Sequence, residues 1–178
     1  MISLALLLLG CTETVPITEQ DRQAVLRIED LAVWMEGFRP VQAKSSFTKT
    51  KELDDSYDLE YGYEDTQGEF PIYLHFSVSV QPDKADALLV HKATNFGTWI
   101  GSGETKMVPR NDLFSWGDDS KFCLWQTESG DTFGNYFTGR KGEKVVTIAI
   151  SGIYFSDPES IHELLDEKLK AVELLPVP

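Results

Sequence analysis

The sequence predicts an α+β domain in which one antiparallel β-sheet of about six to seven strands packs with three α-helices. Residues 121–150 read as three successive strands joined by polar turns that contain glycine. Residues 56–80 alternate between apolar and polar side chains, which predicts a hairpin. Apolar residues recur at helical spacing near the start, the middle and the end of the chain. The predicted element order is α-β-β(-β)-α-β-β-β-β-α.

Composition limits the classes of partner. The chain has 178 residues, 42% hydrophobic and 25% charged, which is typical of a single soluble globular domain. Its formal net charge is −13. Nucleic-acid binding needs clustered Lys and Arg, so this charge argues against a nucleic-acid partner. It favours a basic protein partner or none, and no motif predicts a cofactor.

The N-terminus carries the most specific motif. An apolar run, Ile2–Leu9, has the size of a signal-peptide core and is too short to span a bilayer. It ends in Leu8-Leu9-Gly10-Cys11, which resembles the lipobox of bacterial lipoproteins. The resemblance implies that residues 1–10 are a cleaved signal peptide and that Cys11 becomes the acylated N-terminus. Such acyl chains would anchor the protein to a membrane.

The same resemblance implies a location and a domain organisation. Residues 11–17 are expected to be the lipidated cysteine with a short tether, and residues 18–178 a single α+β domain. The residue directly after the cysteine is Thr12. Threonine at this position, rather than aspartate, resembles the pattern of lipoproteins that are sorted to the outer membrane. The expected location is therefore extracytoplasmic and membrane-anchored, at the outer rather than the inner membrane in a Gram-negative cell.

In the N-terminal half, Thr18–Glu36 has the apolar spacing of one helix that begins at a Thr18 cap. Ser45–Lys51 is predicted to be an edge strand. Ser56–Glu64 and Pro71–Val80 are predicted to pair as a hairpin with one dry and one solvated face. Matching the apolar faces places His75 opposite either Asp58 or Glu60.

The middle of the chain predicts a second helix, Lys84–Asn95, and then weaker signals. The expected buried face of this helix consists of Ala85, Leu88, Leu89, Ala93 and Phe96. Short extended pieces are expected at Trp99–Ile100 and Met107–Pro109, separated by a loop around Gly101-Ser102-Gly103. Leu113–Trp116 is expected to re-enter the sheet.

The C-terminal part predicts the strands Lys121–Thr127, Thr132–Thr138 and Lys144–Ile150, the last with an extension towards Phe155. The last strand is apolar on both faces, as in a central strand that is covered on both sides. A final helix, Pro158–Leu174, begins at an Asp157 cap. Its apolar stripe consists of Ile161, Leu164, Leu165, Leu169 and Val172.

An acidic cluster is the candidate interaction surface. Residues 52–69 contain eight acidic side chains and no Lys or Arg. The hairpin members proposed as a docking or cation patch are Asp58, Glu60, Glu64, Asp65 and Glu69. Their spacing matches no calcium-loop pattern. Three interpretations remain: a solvated surface, a weak cation site, or a docking patch for a basic partner.

Catalytic and metal motifs are missing from the sequence. His75, His91 and His162 have no second ligand at metal spacing, so no metal site is predicted. Cys123 lies within an apolar strand and is expected to be a buried thiol. The function indicated is a lipid-anchored envelope protein that acts as a binding or assembly module. The alternatives are an envelope hydrolase whose site forms only in three dimensions, and a structural envelope component.

Overall fold

The computed structural model describes residues 12–67, 71–101 and 105–178, and the side chains of all of these except 96–101. The strands are β1 Glu13–Thr14, β2 Ser45–Lys51, β3 Tyr57–Asp65, β4 Ile72–Val80, β5 Lys106–Pro109, β6 Asp119–Gln126, β7 Thr132–Lys141 and β8 Lys144–Ser151. The helices are α1 Glu19–Ala24, α2 Ile28–Ala32, α3 Lys84–Gly101 and α4 Pro158–Glu173, and a 3-10 turn covers Gln42–Lys44.

The strands of the described residues form one antiparallel eight-stranded sheet in the order β1-β2-β3-β4-β8-β7-β6-β5. The predicted α+β class with one antiparallel sheet is therefore confirmed, with more strands than the six to seven expected. The additional strand, β1, is only two residues long and falls where a tether was expected. So short a segment shows no periodicity in the sequence.

The helices lie on the two sides of the sheet. The apolar side chains of β3, β4 and β8 point to one side, the core face, where they form a common core with residues of α1, α2 and α4. Helix α3 packs on the opposite side, mainly against β7 and β8 and also against β4. On β8, Val145 and Val146 point to opposite faces and are 2% and 0% exposed, which confirms the predicted central strand.

The predicted continuous helix Thr18–Glu36 is wrong, because the chain divides there into α1 and α2. Val25 (φ −98°, ψ 131°) and Arg27 (φ −120°, ψ 166°) are extended. Successive helical residues point about 100° apart, so one helix could not bury a run of adjacent apolar residues on one face. The extended link buries Val25 and Leu26 completely beside the buried Ala24.

Helix α3 is longer than predicted and buries a different face. It continues to Gly101, so the strand expected at Trp99–Ile100 is wrong. Leu89, expected to be buried, is 64% exposed, whereas Ala87 and His91 are 0% and 1% exposed. This helix has apolar residues on more than one side, and packing against β7 and β8 decides which side is buried. The glycine loop predicted at 101–103 lies mostly outside the described residues.

Leu113–Trp116 does not form the strand that was predicted. It is part of a turn in which the Leu113 amide donates to the Arg110 carbonyl over 2.9 Å. Leu113 and Phe114 are buried, which explains the apolar signal. The Phe114 ring contacts Phe137 edge to face, with ring centroids 5.3 Å apart.

The C-terminal elements are close to their predicted bounds. β7 and β8 join through Gly142-Glu143, and Gly142 has the positive φ of +60° that favours glycine at the first position of a two-residue hairpin turn. In α4, all five residues of the predicted apolar stripe are buried. The Ser160 amide donates to Asp157 Oδ1 over 2.8 Å, so the predicted cap is present.

Asn135 links the sheet to the segment before α4, and this link generates a stability prediction. Asn135 Oδ1 accepts from the Phe155 amide (2.7 Å), and Asn135 Nδ2 donates to the Phe155 carbonyl (2.9 Å), both buried. Asn135→Ala would leave two buried backbone groups unpaired. We expect a loss of about 2–4 kcal/mol in the free energy of unfolding, measured in urea.

Asn111 provides the matched control. Its side chain also bonds two backbone groups, the Phe122 amide and the Ser120 carbonyl, but it is exposed. Asn111→Ala should lower the free energy of unfolding by about 1 kcal/mol or less, because water can replace the lost partner. If the two variants lose the same free energy of unfolding, burial of the Asn135 hydrogen bonds does not determine their contribution to stability.

Candidate functional site

Three of the acidic residues singled out in the sequence lie together on β3. Asp58, Glu60 and Glu64 point away from the core face, on the side of the sheet that carries α3. Glu60 and Glu64 are exposed and Asp58 is half-buried. Helix α3 packs mainly on β7 and β8 and makes a smaller contact with β4, so these carboxylates on β3 lie beyond the part of this side that α3 mainly covers.

Neighbouring strands complete a polar surface around these carboxylates, and none of its side chains is buried. Thr50 and Ser79 flank Asp58 across the sheet, and Thr48 and Ser77 flank Glu60. We call this surface the open sheet face; it consists of Ser46, Thr48, Thr50, Asp58, Glu60, Glu64, Tyr73, His75, Ser77 and Ser79.

The open sheet face has an uncompensated negative charge. It contains three carboxylates and no Lys or Arg. Among the described residues, no ion pair includes Asp58, Glu60 or Glu64. Side chains two residues apart on one strand lie about 7 Å from each other, within the screening length of about 8 Å at physiological salt. Asp58 and Glu60 therefore repel each other, whereas Glu64, four residues from Glu60, lies about 13 Å away, and all three carboxylates attract a cationic partner.

The other two members of the predicted acidic patch are placed differently. Asp65 lies at the end of β3 on the core-face side, is 7% exposed, and pairs with Lys44 over 2.6 Å. It stabilises the fold locally and does not belong to the open sheet face. Glu69 lies outside the described residues. His75 aligns with Gly62, and Glu60 aligns with Ser77 instead. The prediction that His75 faces Asp58 or Glu60 is therefore wrong.

Both ends of the described chain lie at one end of the sheet. Glu13 pairs with Lys51 near the β2–β3 turn. The Tyr57 hydroxyl donates to the Pro176 carbonyl over 2.8 Å, which holds the C-terminal tail beside the same turn. Cys11, the predicted lipidation site, lies outside the described residues.

A second polar cluster lies beneath α3, and sequence reasoning missed it. It consists of His91 and Asn95 on α3 with Thr138 and Arg140 on β7, and we call it the α3 polar layer. Six buried side-chain nitrogen and oxygen atoms of the described residues have no hydrogen-bond partner, and four of them belong to these four residues. Unpaired buried polar atoms destabilise a fold, so such a concentration is unusual.

The geometry of the α3 polar layer sets the state of His91. Asn95 Nδ2 lies 3.2 Å from His91 Nε2, and His91 Nδ1 lies 3.6 Å from Asp119 Oδ2. Burial lowers the pKa of His91, an effect that Asp119 opposes and Arg140 reinforces. The neutral imidazole is therefore favoured in the folded protein. Arg140 is held by Asp118 through a 2.9 Å ion pair.

The sequence did contain a signal for this cluster. Ala87, His91 and Asn95 are four residues apart, so they form one stripe on a helix. Apolar residues elsewhere on α3 form a stronger pattern, and that pattern predicts a different buried face. Cys123, on the same side of the sheet, is fully buried as predicted, and burial raises the pKa of its thiol. A raised pKa disfavours the reactive thiolate.

The comparisons with known proteins find no protein-family model, no curated protein and no solved structure that matches this chain. In the part of the chain that the structure describes, no three His, Cys, Asp or Glu side chains come together as a metal site would require. Among the same residues, no helix combines the length and the hydropathy of a membrane span. The functional argument therefore depends on the surfaces themselves.

The buried His91 generates a prediction about acid stability. Its folded-state pKa is depressed, so the unfolded chain binds the proton first as pH falls below the ordinary histidine pKa of about 6.5. Stability is fully present above that pH and declines below it, with a slope of at most about 1.4 kcal/mol per pH unit from this group. We expect His91→Gln to reduce this loss of unfolding free energy at low pH. Urea unfolding between about pH 7.5 and pH 5, a range that brackets the ordinary histidine pKa, measures the effect.

His75→Gln is the matched control, since His75 lies on the same side of the sheet but outside the α3 polar layer. This variant should keep the acid sensitivity of the parent protein. An unchanged pH profile in His91→Gln would show that His91 does not cause the decline.

Proposed function

We propose that this protein is a lipid-anchored extracytoplasmic module of a bacterial cell envelope and that it binds a basic protein partner through the open sheet face. The observation that carries the binding part is a sheet surface with three unpaired carboxylates and no cation. The observation behind the anchor is the lipobox-like Leu8-Leu9-Gly10-Cys11. The outer membrane is the favoured location, on account of Thr12.

The position of β1 supports a short connection between lipid and domain. Glu13 already pairs with Lys51, so only Thr12 separates Cys11 from the sheet. The two residue steps from Cys11 to Glu13 span at most about 7 Å. An acylated Cys11 would therefore keep the β2–β3 turn next to the bilayer, and the open sheet face would extend away from it along β3.

The character of the open sheet face indicates the kind of partner. Its flanking hydroxyl groups, on Thr48, Thr50, Ser77 and Ser79, can both donate and accept hydrogen bonds. Carboxylates between them would pair with Lys or Arg side chains and would speed association by electrostatic steering. A basic protein surface satisfies both requirements. A surface with polar side chains and little apolar area is also typical of a reversible contact rather than a permanent one.

The anchor is tested by metabolic labelling. Wild-type protein should incorporate labelled palmitate and lose residues 1–10, because lipobox processing acts on the thiol of Cys11. Cys11→Ser should remain an unlabelled precursor. Cys123→Ser is the control and should label normally, since Cys123 is buried in the sheet. Unlabelled wild-type protein that retains residues 1–10 would refute the anchor.

The docking surface is tested by neutralising Asp58, Glu60 and Glu64 together as Asn, Gln and Gln. We expect a slight gain in the free energy of unfolding, a few tenths of a kcal/mol, because the mutual repulsion is removed. Capture of basic proteins from detergent-solubilised envelopes by the anchored chain should fall at least tenfold at low salt. In the wild type, this capture should weaken as salt rises.

The matched control neutralises three exposed carboxylates outside the open sheet face, Glu36, Glu128 and Glu163. It changes the net charge equally and should leave capture unchanged. Equal losses in the two triple variants would show that only total charge matters. Calcium-dependent thermal stabilisation of the wild type alone would identify a cation site in place of a protein contact.

A further inference from the structure

A groove between α1 and α4 concentrates positive charge on the core-face side of the molecule. It has a volume of about 710 Å³. Gln20 on α1 donates to the Leu174 carbonyl at the end of α4 over 2.7 Å, which fixes the two helices at one end. The charged residues that line it are Arg22, Arg27, Lys168, Lys170, Glu19 and Glu167.

The charge of this groove is opposite to that of the protein. Four of the sixteen Lys and Arg residues line it, against two carboxylates, in a chain of net charge −13. Lys168 pairs with Asp30 over 2.9 Å, and Lys170 pairs with Glu167 over 2.8 Å. No ion pair of the described residues includes either arginine.

The two arginines differ in their surroundings. Arg22 is exposed, and its guanidinium lies 6.0 Å from the centroid of the Phe47 ring. Arg27 is half-buried, and its Nε is a buried donor without a hydrogen-bond partner. No ion pair joins Arg27 to Glu29 among the described residues: Glu29 Oε1 accepts from Gln42 Nε2, and Glu29 Oε2 is itself a buried acceptor without a hydrogen-bond partner. This Nε is closed to solvent, so an anion in the groove would contact the terminal nitrogens of the guanidinium group, over which the positive charge is delocalised.

We propose that the α1–α4 groove binds a phosphate group. A carboxylate has two oxygens and is satisfied by one arginine fork, whereas a phosphate offers more oxygens and more charge to donors that are spread over two helices. Arg22 and Arg27 supply the free guanidinium groups, and Lys170 adds a third cation at the rim. The phosphate can belong to a lipid headgroup or to a free phosphate compound. This site is independent of the anchor and of the open sheet face.

The test uses the full chain in a nonionic detergent and follows the NMR signal of the Arg27 Nε–H. Inorganic phosphate and glycerophosphoglycerol, the water-soluble headgroup of an anionic lipid, are titrated separately at constant ionic strength. We expect a saturable shift of this signal in at least one titration. A response to both probes indicates recognition of any phosphate, a response to the headgroup alone indicates a lipid source, and a response to inorganic phosphate alone indicates a free source.

Variants distinguish a site from general screening. Arg22→Gln and Lys170→Gln should each raise the dissociation constant for the phosphate probe by about tenfold, which is the effect of losing one charge-assisted hydrogen bond. Arg27 stays intact as the reporter. Lys92→Gln is the control because Lys92 is exposed on α3, on the other side of the sheet, and it should bind as the wild type does. No saturable shift, the same shift with chloride, or equal weakening in Lys92→Gln would overturn the proposal.

Discussion

The pairing of β4 with β8 is the contact on which the rest of the architecture depends. It joins an N-terminal group of strands, β1 to β4, to a C-terminal group, β5 to β8, along eight residue pairs from Tyr73–Ser151 to Val80–Lys144. Each group alone would be a small sheet with an unpaired long edge. Because both strands are central, their core-face side chains determine where the helices can pack.

This central pairing also explains the difference between the two halves of the α3 side. Helix α3 makes most of its contacts with the C-terminal group, and burial beneath it favours side chains that are apolar or hydrogen-bonded, a requirement that the α3 polar layer meets only in part. In the N-terminal group, α3 contacts β4 but makes no extensive contact with β3, so Asp58 and Glu60 can remain solvated with no ion-pair partner among the described residues. The open sheet face and the α3 polar layer therefore lie on the same side of the sheet, separated by β8, and differ in solvent exposure.

Sequence reasoning succeeded where a single local pattern determines the structure. Helix α4 was predicted from a cap and one apolar stripe, and the β3–β4 hairpin from strict alternation. It failed where tertiary packing chose between local options. Val25 and Leu26 are buried because the chain is extended, not helical, between α1 and α2. The exposed Leu89 shows that a different face of α3 from the predicted one packs on the sheet.

The candidate surfaces show the same division. The alternation of β3 correctly placed Asp58, Glu60 and Glu64 on the solvated side, since side chains alternate along any strand. It could not show that Asp65 reaches Lys44, or that His75 aligns with Gly62, because strand register depends on the turn. The arginines of the α1–α4 groove come from segments more than a hundred residues apart from the lysines they face, so no local pattern brings them together.

The order of the strands has a consequence for the chain while it is being made. Chains emerge from the N-terminus, so β2, β3 and β4 are available before β8 and α4 exist. Until then, the tyrosine and phenylalanine side chains on the core face of β3 and β4 have no helix α4 to cover them, and β4 has no second neighbour. Pairing at such long sequence separation is slow. A chain that has emerged only as far as β4 therefore exposes an apolar face and an unpaired strand edge, the two features that favour aggregation.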